Sequence, residues 1–144
     1  MRKVAVLTIL ATFILVGCAS LGLKPYTEMT PDQKALSFVK VYNKVFKGTF
    51  NQMLDGSLMS QAEKDQMLDD LMAGKITAAQ VPIKKNLTAE QRTVINQKRV
   101  LLIKLKPYLD IYVKVVSEGM IPSAYTEEAI LDLIDKLTAL GTGV

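Results

Sequence analysis

Few groups in this chain are able to do chemistry. Cys18 is its one cysteine, histidine and tryptophan are absent, and 14 carboxylates stand against 18 lysines and arginines over 144 residues. Lacking histidine, the chain lacks both the commonest general base and the commonest zinc ligand. Half of its carboxylates gather in two places, Asp65, Asp69 and Asp70, then Glu127, Glu128, Asp132 and Asp135. Such clusters can do acid–base work or hold a hard cation. Their spacing fits no calcium loop, however, and acids in a first helical turn answer to the helix dipole. No glycine-rich phosphate loop and no nucleophile motif accompanies them. The expectation is a protein that is not an enzyme, with no catalytic residue, cofactor or metal site.

The cations are more orderly. Lys40, Lys44 and Lys47 share one helical face, and Arg92, Arg99 and Lys106 recur at heptad spacing on another. Residues 84–106 hold seven basic side chains against the single acid Glu90. Beside a membrane, such stripes attract anionic lipid head groups at ~1 kcal/mol per charge; the alternative is an ordinary solvated face. Lys98 lies near the apolar arc of its helix, where a snorkelling stem is expected.

Cys18 ends the string Leu15-Val16-Gly17-Cys18, which closes a basic, then apolar, then small N-terminal segment. Arg2 and Lys3 precede an uncharged run over residues 4–16, and Gly17 and Ala19 bracket the cysteine, as a cleaved signal peptide requires. The string resembles the lipobox of bacterial lipoproteins. That resemblance implies a signal peptide over 1–17, a diacylglyceryl (palmitate-type) lipid on Cys18 and a lipidated tether over 18–30. An uncleaved anchor is the competing reading, because residues 4–23 carry no charge and twenty such residues can span a bilayer. In both cases the positive end stays cytoplasmic and the remainder faces the periplasm or exterior. Ala19-Ser20, with no aspartate, resembles lipoproteins sorted to the outer membrane. Processing would remove two of the 18 cations and leave a charge of about +2. That is too little for a nucleic-acid footprint, so no nucleic-acid partner is expected. The tether reaches at most ~40 Å, which keeps the domain near the membrane.

What must position these groups is helical. Thr30-Pro31-Asp32-Gln33, Ser60-Gln61-Ala62-Glu63 and Thr88-Ala89-Glu90-Gln91 each read as a capping box ahead of an apolar period. Thr126-Glu127-Glu128 reads as a fourth start, and Gly56, Gly74, Gly119 and Gly141 follow the helix ends. The pattern predicts helices over about 31–55, 61–73, 89–117 and 127–140, with Pro107 bending the third. No alternating strand pattern of useful length appears. The expected fold is all-α, an irregular antiparallel bundle of four main helices in one domain over 31–141. The overall pattern also loosely resembles small phage-associated bacterial lipoproteins, a likeness that implies no activity.

Phe38, Tyr42, Phe46 and Phe50 form a ladder along the first helix. Large rings fill a bundle of few helices; alternatively they line a ligand groove. The expected function is therefore a lipid-anchored envelope protein with a structural or protein-interaction role. The alternative is a carrier of an apolar ligand. A groove of at least ~300 Å³ along the ladder would favour the carrier.

Overall fold

Each helix begins where the sequence supplies its cap. In the computed structural model, which describes residues 25–141, α1 spans Pro31–Met53, α2 Gln61–Met72, α3 Ala89–Ser117 and α4 Ala124–Ala139. Short 3-10 turns occupy Tyr26–Glu28 and Ala78–Gln80. All three predicted capping boxes form, at Thr30 and Gln33, Ser60 and Glu63, and Thr88 and Gln91. The Ser60 backbone and hydroxyl bonds hold the Glu63 carboxyl below its usual range. The third helix ends as its glycine predicts. Gly119 takes φ 73°, and the Met120 and Gly119 amides donate to Val115 and Val116 O, closing a Schellman motif. The expected signal peptide, Cys18 and the first part of the expected tether lie outside the described residues.

Two boundaries differ from the sequence expectation. The fourth helix starts three residues early, because Ser123 Oγ accepts from the Thr126 amide at 3.2 Å. Thr126, read as the cap, is instead buried in the first turn with its hydroxyl 2.8 Å from that of Ser123. At the other end, α1 stops at Met53 because Leu54 leaves to make an antiparallel bridge with Ile83. Asp55 N donates to Pro82 O at 2.8 Å and Lys84 N to Met53 O at 3.0 Å. The 82–87 connection is thus fastened along the end of α1.

Side-chain pairings set the topology. Phe38 meets Tyr112 at one end of α1, and Gln52 meets Lys98 at the other, so α1 and α3 run antiparallel. Tyr125 of α4 meets Tyr108 of α3, and Lys34 of α1 meets Glu127 of α4. The fold is an all-α bundle in which α1 and α4 flank a long α3, and α2 leans on its far end. Apolar residues bury into two clusters. The larger joins α1, α3 and α4 around Phe38, Val45, Leu105, Tyr112, Ile130 and Leu137. The smaller joins Phe50, Met53 and Leu54 to Leu68, Val81 and Ile95. The third helix runs through Pro107 without interruption. The carbonyl freed by the missing N–H belongs to Ile103, which is exposed and can bond water. Among the described residues no helix is long and apolar enough to cross a membrane.

Candidate functional site

The aromatic ladder divides between two tasks. Phe38 is 0 % exposed, with ring contacts at 5.2 Å to both Tyr26 and Tyr112. Tyr112 is equally buried; its hydroxyl donates to Glu127 at 3.1 Å, and Glu127 also receives Lys34. Burial first, then the Glu127 charge, pushes the Tyr112 phenol far up. This junction pins the first turns of α1 and α4 to the second half of α3. The lower rungs behave differently. Tyr42, Phe46 and Phe50, with Met53 one turn on, line a groove of about 380 Å³ between α1 and α3. Its opposite wall is Leu102, Ile103 and Pro107, and Leu71 and Ala78 close one side. Thr49, also in the wall, spends its hydroxyl on Val45 O at 2.8 Å.

Two cations line this groove, Arg99 and Lys106, and no carboxylate does. Lys106 is occupied, with Nζ 2.5 Å and 2.7 Å from the Asp110 oxygens. Arg99 is half-buried and, among the described residues, has neither a hydrogen-bond nor an ion-pair partner. The three side chains of the expected Arg92, Arg99 and Lys106 stripe thus differ in their surroundings. The Arg92 guanidinium donates to Leu87 O and Lys85 O at 3.2 Å and 3.3 Å, fastening the 85–87 connection. Arg99 and Lys106 stand beside the apolar arc of α3. At ~100° per residue Lys106 stands only ~40° from Leu102 and Arg99 ~60°, a signal that would have placed both on its margin. Lys40, Lys44 and Lys47 are exposed as expected and unpaired among the described residues.

Lys98 does not snorkel. It is 2 % exposed, its ammonium meets only the Gln52 amide oxygen among the described residues, at 3.4 Å, and burial pushes its pKa down. On α3 it stands between Ile95 and Leu102, both buried, so the stem has no way around the apolar neighbours.

A larger, polar cleft of about 1000 Å³ lies beyond Gln52, between the end of α1 and the starts of α2 and α3. Asp55 and Glu90 face it together with Lys64 and Lys84, so neither sign of charge prevails. Three of the clustered acids have partners close by in sequence. Asp65 accepts from Gln61, Asp70 from Gln66 and Lys75, and Asp132 from Lys136. Among the described residues no three acidic, histidine or cysteine side chains converge on a metal position.

Comparison of the chain with models of known protein families, with curated proteins and with solved structures gives no match.

Proposed function

We propose that the chain is a lipid-anchored bacterial envelope protein that acts by binding an apolar ligand, without catalysis, in the groove between α1 and α3. The anchor rests on Leu15-Val16-Gly17-Cys18 and its basic-then-apolar approach. It sets the domain at the outer membrane, facing the periplasm or exterior. The binding role rests on one observation, the groove of about 380 Å³ walled by Tyr42, Phe46, Phe50 and Met53. That volume falls within the range of small-molecule sites, which are mostly apolar with few polar groups.

Contact with another envelope protein is the second reading. Val100, Ile103, Pro107 and Ile111 are exposed at spacings of three and four along α3, the middle two at the groove and the outer two beyond it, a stripe able to meet a partner helix.

Two measurements on the full chain test the proposal. Mass spectrometry should find Cys18 lipidated and N-terminal, and Cys18→Ser should leave residues 1–17 attached. An unmodified Cys18 on the wild-type protein would instead favour an uncleaved anchor. Photolabelling in zwitterionic nanodiscs with a diazirine-bearing long-chain alcohol should mark peptides spanning 42–53 and 99–107. Labelling confined to the outer stripe at Val100 and Ile111 would favour the contact reading.

A further inference from the structure

Resting on the groove reading, we propose that its ligand is a single-chain amphiphile with a carboxylate head, of the fatty-acid class. The chain lies along Phe46, Phe50 and Met53, and the head is held by Arg99.

The occupant follows from charge as much as from shape. A groove meant for a wholly apolar molecule gains nothing from a guanidinium in its wall, since partial burial removes water from the ion and returns no partner. Arg99 is the groove's unengaged charge: Lys106 is held by Asp110, and the Thr49 hydroxyl is spent on its own helix. Most of the lining is side-chain hydrocarbon and aromatic ring and none of it is a carboxylate, so a head group entering beside Arg99 meets an unpaired guanidinium and no competing negative charge in the wall. Guanidinium presents a planar fork that matches a carboxylate with two parallel hydrogen bonds, and charge assistance makes these about twice as strong as neutral ones. An alcohol head accepts from one arm of that fork and leaves the charge unneutralised. Size selects one chain rather than two, because about 380 Å³ sits at the low end of ligand-site volumes.

Position adds a second reason. Arg99 stands one turn before Leu102 and Ile103 on α3, opposite Phe46 and Phe50 on α1. Leu71 and Ala78 cover the side towards α2. An acyl chain placed against these walls buries itself on both sides, and the head stays at the half-exposed edge where Arg99 lies.

The full chain in zwitterionic nanodiscs is photolabelled with two probes of equal length, a diazirine-bearing fatty acid and the matching alcohol, at mildly alkaline pH. The acid should label peptides 42–53 and 99–107 with on the order of tenfold lower half-saturating concentration than the alcohol, the ratio that about one charge-assisted hydrogen bond supplies. Arg99→Gln should bring the acid to the level of the alcohol while alcohol labelling stays at wild-type level, which also reports that the groove is intact. Should Arg99→Gln lose alcohol labelling as well, Arg99→Lys keeps the charge without the fork and should leave an intermediate acid preference. Ala78→Trp should block both probes. Equal labelling by acid and alcohol in the wild-type chain overturns the carboxylate inference and leaves the groove reading standing. No groove labelling by either probe overturns both.

Discussion

At one end of the bundle α1, α3 and α4 close around Phe38, Tyr112 and Ile130, each 0 % exposed. At the other, Phe50, Met53 and Leu54 meet the short α2 and the pinned 82–87 connection, and apolar surface stays open beside them. The same α1 ladder serves both ends. Rings at Phe38 and Phe46 stand two turns apart, yet one lies among three helices and the other meets two helices and a gap. A ring's role follows from how many elements converge on it, and the opening forms where a third long helix is lacking.

Truncations should separate the two ends. Phe38→Ala should cost ~3–5 kcal/mol, the usual penalty for emptying a closed aromatic site, read as a fall in urea midpoint. Phe46→Ala, half-buried beside a gap that water can enter, should cost under ~2 kcal/mol. Equal losses would mean that the groove closes in solution and that the two ends are alike.

Lys98 sharpens the contrast, because a buried ammonium sits behind the open end with only the Gln52 amide as partner among the described residues. Lys98→Met should stabilise the protein by about 1–2 kcal/mol at neutral pH, since the stem is replaced and the ion removed. The pH dependence gives the sign independently. The folded pKa lies below the reference 10.5, so between the two values the unfolded chain holds the extra proton and stability rises with pH. That rise should vanish in Lys98→Met. Above about pH 10 Tyr112 acts in the opposite sense, because its folded pKa is raised by burial and by Glu127. The diagnostic window therefore lies below that point. Unchanged slopes in the variant would mean that Lys98 reaches water.

The smallest effect belongs to the closed end. Ser37 Oγ is buried there with no hydrogen-bond partner among the described residues. Ser37→Ala should therefore be neutral or stabilising by up to ~1 kcal/mol, measurable as a small rise in melting temperature. A clear loss would show that the hydroxyl finds a partner in solution.

How much of this was legible beforehand varied with the range of the interaction. Three capping boxes and the Gly119 ending were legible because each is closed by residues within a few positions of one another. The true start of α4 was not, since Ser123 and Thr126 are both competent caps and burial of Thr126 decided between them. Among the site residues, exposure of Lys40, Lys44 and Lys47 followed from periodicity. Separation of Arg92, Arg99 and Lys106 into a loop fastener, a groove cation unpaired among the described residues and a groove cation held in an ion pair did not.

The sequence by itself determined the all-α class, the number of main helices and their apolar faces, because capping and 3.6-residue periodicity are local properties of the chain. Only the tertiary structure decided which rings are enclosed, that Lys98 is buried, that Val81 and Ile83 bind the connection to α1, and that Arg99 borders a groove. Those outcomes depend on which distant segment arrives opposite a given face, and the spacing within one helix carries no record of that.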